Sequence, residues 1–371
     1  MGKTAVIVYR VDKGIVANSG VVQKLAGQVE GLISLGLEVD YIIHDGSKIY
    51  KNQELITDTS QLMGAFSTKW RFWKHIPAAI NQTYDLVIIR YTLMIPPQFA
   101  FIKRIKQRYP SSSIILDMPT YPYDDEWSGV KGQLGLFIDK IYRSKLSDYV
   151  DRITHSGLAE SIFNIKTISM GNGISTHLIP DQLPSRKTST TFNMIAVGKW
   201  QFWHGLDRLI KGMDVYLQAN PEREIHLHIV GDGPESAVLE RVTATLNLVE
   251  QVTFHGSIVG QELLDLIDHS DIAIGTLGLY RKGVVLDSSL KHRLYCARGI
   301  PFVLSSSDRD FEKGLNFVHY EEPDQSILSI TTLIQWYDRL DRALIDEEMM
   351  THAKKYLTWN IKMKQLVAHF E

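Results

Sequence analysis

MIAVGKWQFWHGLDRLI, residues 194–210, decides the fold. Its first part is a short continuous apolar run, the pattern of a strand buried on both faces. Gly198 breaks the run, and Leu206, Leu209, Ile210, Met213 and Leu217 then recur at helical spacing. Strand, turn and helix in that order are one unit of a parallel sheet. TAVIVYR (4–10) opens the same rhythm at the start of the chain. Val22, Leu25, Val29, Leu32 and Ile33 follow at helical spacing and Gly36 stops the helix, with VDYII (39–43) as the next strand. The alternation continues through helices near 67–82, 98–109 and 132–147. Strands are read at 86–89, 113–116, 152–154 and 167–169, and in the second half at 225–230, 252–255, 271–274 and 301–304. The expected class is therefore α/β, with two doubly wound parallel-sheet domains and a cleft between them as the default ligand site.

The Pro-, Ser- and Thr-rich stretch around PDQLPSRKTSTT has no apolar period and reads as a linker. The expected organisation is a first domain over 1–178, a linker over 179–192 and a second domain over 193–354. A C-terminal helix over 355–371 then packs back on the first domain, with Trp359 as its anchor.

The chain has 371 residues, enough for two ordinary cores. Net charge is −2, so no global basic field invites nucleic acid, and any anion must be held by a local site. Cys296 is the only cysteine, which excludes an internal disulfide and fits a reducing compartment. The apolar run before Arg10 is too short for a signal peptide, and no stretch reaches the roughly 20 apolar residues of a membrane span. The reading is a cytoplasmic protein, with contact at the inner face of the membrane as an added possibility. That contact would use STKWRFWKHI (67–76), where Lys69, Arg71 and Lys74 interleave with Trp70, Phe72 and Trp73. An ordinary helix packing its tryptophans is the competing and preferred reading.

Chemistry concentrates in the second half. Lys199 stands beside Gly198 at a strand end, facing a helix start, where backbone N–H groups and the helix dipole favour phosphate. A surface lysine on a tight turn explains the same residues. In IVGDGPE (229–235), Gly231 and Gly233 would let a ligand approach the backbone. In DSSLKHRLYCARG (287–299), Ser288 or Ser289 is placed to cap a helix beginning at Leu290. Lys291 then falls in the first turn, where the dipole disfavours a cation, so a use other than helix stability is suggested.

These segments, taken in order with VTFHGSIVGQELLDLIDHSDIAI (252–274), resemble the donor-domain segments of glycosyltransferase family 4. NSGVVQKLAGQVEGLISLGLEVDYI (18–42), YDLVIIR (84–90) and MGNGIS (170–175) are similar to the family's N-terminal domain. The resemblance implies a GT-B enzyme, metal-independent and retaining. Its only small-molecule requirement is a UDP- or GDP-linked sugar donor, and its acceptor is a glycan, a lipid-linked species or a protein. It implies that Lys199 and Lys291 are diphosphate ligands and that Gly20 belongs to a glycine loop facing the phosphates. Ser257, Ile258 and Val259 would meet the base, and Ser288, Ser289 and Leu290 would form the turn and helix start under the diphosphate. His204 stands where the family has lysine, which weakens a phosphate contact unless the imidazole is protonated. The family's paired glutamates fall at Leu286 and Leu294, neither acidic, with Asp287 one residue off register. That departure keeps two rivals open: a non-catalytic nucleotide-sugar-binding partner, and a sugar-nucleotide epimerase of the same fold.

DMPTYPYDDEW (117–127) follows a strand end and is assigned to the acceptor side, with Asp117 nearest the chemistry. Asp124, Asp125 and Glu126 read as a solvated loop or acceptor wall, and His226 and His228 as packing residues, since no third ligand is evident for a metal.

Overall fold

A computed structural model describes residues 3–10, 20–60, 68–124, 127, 129–183 and 190–370. The chain divides into two compact units, one formed by Met1–Gly171 with Trp359–Glu371 and the other by Asn172–Thr358.

The first unit contains β1 (Thr4–Arg10), α1 (Gly20–Ser34), β2 (Glu38–Asp45), β3 (Lys48–Lys51), β4 (Glu54–Asp58), α2 (Thr68–His75) and β5 (Leu86–Arg90). It continues with α3 (Pro96–Arg108), β6 (Ser113–Asp117), α4 (Gly129–Arg143), β7 (Arg152–His155), β8 (Ser161–Ile162) and β9 (Ile165–Ser169). Its nine strands run in the order β4-β3-β2-β1-β5-β6-β7-β9-β8. The strands from β2 to β9 in that order pair in parallel, and β3–β4 and β8 add antiparallel edges. β1 is buried along its centre, as its unbroken apolar run requires. Phe72 and Trp73 of α2 sit in the core against Phe101. Lys69 donates to the Leu93 carbonyl and Arg71 to the Thr59 carbonyl. The packing reading of 67–76 therefore prevails over the membrane reading, because the aromatic face that a bilayer would need is already used.

The second unit contains β10 (Phe192–Val197), α5 (Leu206–Gln218), β11 (Ile225–Val230), α6 (Ser236–Thr245), β12 (Val252–Gly256), α7 (Gln261–Asp268) and β13 (Ile272–Ile274). β14 (Leu286–Asp287), α8 (Leu290–Ala297), β15 (Phe302–Leu304), β16 (Ser307–Asp308), β17 (Val318–Tyr320), α9 (Ile330–Asp338) and α10 (Arg342–His352) follow. Six parallel strands take the order β12-β11-β10-β13-β15-β17, the doubly wound arrangement. Met194 and Ala196 of β10 face one core with α5 and α9, while Ile195 faces a second core with α8 and α10. In such a sheet the strand order reverses between β10 and β13, so the carboxyl ends of those two strands are where a ligand site belongs.

Two boundaries differ from the sequence reading. The first unit ends at Gly171 and not at 178, because the next residues are tied to the second unit: Asn172 N–H donates to Ser288 Oγ (2.7 Å) and Ile174 bridges to Thr358. The linker also gives way to β10 at Phe192. After a single turn of π-helix at Ala353–Leu357, the chain returns to the first unit as α11 (Trp359–Val367), which lies against α1. Gly27 makes that approach possible, since a Cβ there would fall 2.0 Å from the Trp359 ring. Among the described residues no helix is long and apolar enough to cross a membrane.

Candidate functional site

The site is assembled at the carboxyl ends of β10 and β13. The turn after β10 is locked to the turn after β11 by Trp200, which is fully buried. Its indole N–H donates to the Gly231 carbonyl (3.1 Å) and its backbone N–H to the Asp232 carbonyl (3.1 Å). A Cβ on Gly231, whose φ is +106°, would lie 1.9 Å from the Gly198 carbonyl oxygen. One on Gly233 would lie 2.1 Å from the Trp200 carbonyl oxygen. The close approach that these glycines permit in the structure is between two protein loops. Lys199 rides on the locked turn with an exposed side chain.

The α8 helix closes the other side. The Tyr295 hydroxyl accepts from Val197 N–H (3.0 Å) and donates to the Ile274 carbonyl (3.2 Å), so α8 is pinned to both parting strands. Arg293 pairs with Asp308 and Asp310 and donates to the Asn172 carbonyl (3.1 Å), while His292 Nδ1 lies 3.0 Å from Asp308 Oδ2. Burial alone would raise the Asp308 carboxyl; the Arg293 guanidinium and His292 instead hold it well below the usual carboxylate range. The helix start is thus rigid before any ligand is considered.

Lys291 leaves that helix start for the interior. It is 8% exposed, and its Nζ is buried without a hydrogen-bond partner among the described residues. The ammonium lies 5.6 Å from the centre of the Trp200 ring, a cation–π distance. Burial pushes its pKa down to about 8, against a small upward pull from Asp287. An unpaired buried ammonium is costly, and this one is held in place by a pinned helix and a locked indole. Nearby, Ser305 Oγ and Ser306 Oγ at the end of β15 are also buried without partners, with Ser305 N–H donating to the Thr276 carbonyl (3.2 Å).

Neither serine caps α8 through its side chain. Ser289 occupies the N-cap position without a side-chain bond. Ser288 is engaged by Asn172, through the backbone N–H to its Oγ and the Asn172 amide to its carbonyl (2.5 Å). The first-turn N–H groups of Leu290 and Lys291 are accordingly left to water or a ligand, as at any helix start without a side-chain cap.

His204 is neutral. Burial first, and then the charge of Lys291, lower its pKa to about 3. Its Nδ1 accepts from Gln201 N–H (3.0 Å), which assigns the ring proton to Nε2 and makes that edge a donor. The imidazolium that the sequence reading required for a charged phosphate contact is therefore absent at neutral pH. The ring packs edge-on to Trp200, with centroids 5.4 Å apart.

The loop after β12 joins the same end of the sheet: Ser257 Oγ donates to Asp232 Oδ2 (2.9 Å), and Ile258 and Val259 are partly exposed beside it. Leu286 is half-buried in β14, and Leu294 packs on the second core. The Oδ2 of Asp287 is buried without a hydrogen bond, 3.8 Å from His292 Nε2.

In the first unit, Asp117 is already committed. Oδ1 accepts from Lys24 Nζ (2.9 Å) and Thr154 Oγ1 (3.2 Å); Oδ2 accepts from Tyr9 Oη (2.7 Å) and lies 3.8 Å from Arg90. Burial raises its pKa, but Lys24 and Arg90 outweigh burial and hold the carboxyl below its usual range. With both oxygens engaged and the side chain buried, Asp117 reads as a hub of the fold, in place of the acceptor role given it from sequence. Gly20 is the first residue of α1; Gly14, Asn18 and Ser19 of its loop lie outside the described residues. Asp124 is paired with Lys140 (3.2 Å) and Arg143 (3.0 Å), and Asp125 and Glu126 lie outside the described residues. His226 and His228 lie with ring centres 4.7 Å apart and planes tilted by 44°, with His255 beyond, and among the described residues no group of three His, Cys, Asp or Glu could hold a metal.

Two α/β units with parallel sheets, the second in doubly wound order, are the make-up of the GT-B fold. Solved structures of that class align along the whole chain. Sucrose-phosphate synthase from Thermosynechococcus elongatus is 14% identical, with a TM-score of 0.65 over 99% of this chain and 98% of its own. Pneumococcal O-GlcNAc transferase GtfA, in complex with UDP and GlcNAc, is 12% identical, with a TM-score of 0.65 over 100% and 99%. Anabaena HepE in complex with UDP is 14% identical, with a TM-score of 0.61 over 99% and 100%. No curated protein sequence matches the chain. Residues 191–335, nearly the whole sheet of the second unit with α8 and its lysine, match the family model described as glycosyl transferases group 1. The second unit is a group 1 glycosyltransferase domain, as the ordered motifs of the sequence had suggested.

Proposed function

We propose that this chain transfers a sugar from a nucleoside-diphosphate donor, UDP- or GDP-linked, to a glycan, lipid-linked or protein acceptor, with retention at the anomeric carbon and without a metal. One observation carries the reading: the buried, unpartnered Lys291 ammonium at the switch point of the domain that matches the glycosyltransferase model. As the bond from the anomeric carbon to the donor phosphate breaks and the bond to the acceptor oxygen forms, charge grows on the leaving diphosphate. Lys291, the first-turn N–H groups of α8 and the neutral Nε2–H of His204 form one donor set for that charge, and Lys199 adds a second cation from the exposed turn. Such groups count for more in a buried site than in water, because their orientation is set before the reaction. The acceptor hydroxyl passes its proton to the leaving phosphate oxygen, which balances the step without a separate base. Two structural relatives are described with UDP bound, so UDP and its sugars are the first donors to test. The test is release of nucleoside diphosphate from a panel of nucleotide sugars: slow hydrolysis or transfer that Lys291→Met abolishes supports the reading.

Leu286 and Leu294 favour a second reading, a partner that binds nucleotide sugar without turning it over. Tight donor binding with no hydrolysis or transfer for any donor would select it, and isomerised donor would point to an epimerase.

A further inference from the structure

The first sheet has a switch point of its own. Its strand order reverses between β1 and β5, so the carboxyl ends of those strands are where a ligand of this unit belongs. Three charged side chains meet there. Arg90 ends β5, Asp117 ends the neighbouring β6 in direct register with it, and Lys24 reaches over from α1. Two cations thus share one carboxylate. Asp117 is spent on other donors: Lys24 Nζ at 2.9 Å, Thr154 Oγ1 at 3.2 Å and Tyr9 Oη at 2.7 Å. Arg90 comes no closer to it than 3.8 Å, beyond hydrogen-bond distance. The Nη1 of Arg90 is buried without a hydrogen-bond partner, and no other carboxylate among the described residues pairs with Arg90 or with Lys24. The ring of Tyr9, 5.2 Å from the guanidinium carbon, attracts the charge but offers Nη1 no oxygen.

Lysine and arginine differ in what such a place demands. A lysine can give up its proton, and desolvation lowers the pKa of Lys24. A guanidinium keeps its charge throughout the physiological range. The excess positive charge therefore stays on Arg90 and is answered only by an anion from outside the unit. The side chain is 15% exposed, which leaves one edge open to solvent. Water at that edge hydrates the group without neutralising it. The fork of a guanidinium fits a carboxylate or a phosphate through two parallel N–H···O bonds. The bonds to Asp117 fix the surroundings, so the fork is in position before an anion arrives.

We propose that Arg90 binds an anionic group, carboxylate or phosphate, on the acceptor. The proposal rests on the transfer reading and narrows its acceptors to those that carry such a group; in that reading the donor diphosphate has its own cation in Lys291. The test is calorimetric titration of the full chain, saturated with UDP, with inorganic phosphate and with methyl glucuronide, methyl glucoside serving as the neutral control. At least one of the two anions is expected to bind and the glucoside not to. Arg90→Gln is expected to weaken anion binding about tenfold or more, and Arg90→Lys to restore part of it. UDP affinity and melting temperature are expected to stay at wild-type values in both variants. Binding of neither anion, or anion binding that Arg90→Gln leaves unchanged, overturns the proposal. So does a loss of UDP affinity in Arg90→Gln equal to the loss for phosphate, since the anion would then be the donor's own diphosphate. Titration of phosphate without nucleotide separates the two readings: a chain that binds neither UDP nor GDP but holds phosphate through Arg90 would refute the transfer reading and keep the anion site.

Discussion

Both sheets bring a lysine to their carboxyl ends, and the two lysines are treated differently. Lys24 in the first unit is half-buried, and desolvation lowers its pKa, but Asp117 answers it at 2.9 Å within a network in which Tyr9 and Thr154 also take part. Lys291 in the second unit is buried more deeply, and no carboxylate reaches it; its neighbour is the face of Trp200. The difference teaches how to separate a structural charge from a functional one. A buried charge that is paired stabilises its surroundings only relative to the unpaired state. A buried charge left unpaired in a rigid frame lowers stability, and its retention indicates a ligand.

The contrast can be broken by substitution. Removing Asp117 strands Lys24, so Asp117→Ala is expected to cost about 3–5 kcal/mol, read by denaturant unfolding of the first unit. If Asp117 were instead an acceptor-binding group with little structural role, the variant would melt normally and lose only activity. Lys291→Met removes a charge that nothing pairs. The free protein is expected to be as stable as the wild type or more so at neutral pH, while turnover falls roughly 10²–10³-fold. Loss of stability together with activity would mean that the lysine serves the fold. Lys199→Ala, at an exposed position, is expected to raise the donor KM several-fold with the melting temperature unchanged; an effect equal to that of Lys291→Met would put the diphosphate on the outer turn.

The pH dependence sharpens the same point. With Lys291 at about 8 in the free protein, the ammonium is lost as pH rises through that value, so donor affinity is expected to fall above about pH 8 and to flatten in Lys291→Met. The sign for stability is opposite. Between the folded value near 8 and the ordinary lysine value of about 10.4, the unfolded chain binds the extra proton, so stability contributed by this group rises with pH. His204 should add nothing to either profile between pH 5 and 9, because its pKa lies at about 3.

Much of the fold was legible because its central strands are continuous β-branched runs and its helices have regular apolar spacing. The β3–β4 hairpin escaped, since Lys48–Lys51 is four residues long with a single core residue, Ile49, and Glu54–Asp58 is short and mostly exposed. At the site, Lys291 stood out because a cation in a helix's first turn opposes the dipole. Trp200, Ser305 and Ser306 did not stand out. A buried tryptophan and two serines after a strand are ordinary in sequence, and only the meeting of β10, β13, β15 and α8 gives them meaning. Gly231 and Gly233 were recognised as places of close approach, but the protein loop that each meets was not legible, because loop-to-loop distance is a tertiary property. Phe72 and Trp73 were the easier case: packing was the preferred reading of the interleaved bases and aromatics, and the core holds both rings.

Proton uptake on nucleotide binding tests the central claim most directly. Isothermal titration of UDP, or of GDP if UDP does not bind, at pH 8.5 in two buffers of different ionisation enthalpy counts the protons taken up. If Lys291 meets the diphosphate, binding restores its charge, and the wild type takes up most of a proton while Lys291→Met takes up none. Binding without uptake, or equal uptake by the two proteins, would contradict the assignment of the diphosphate to Lys291.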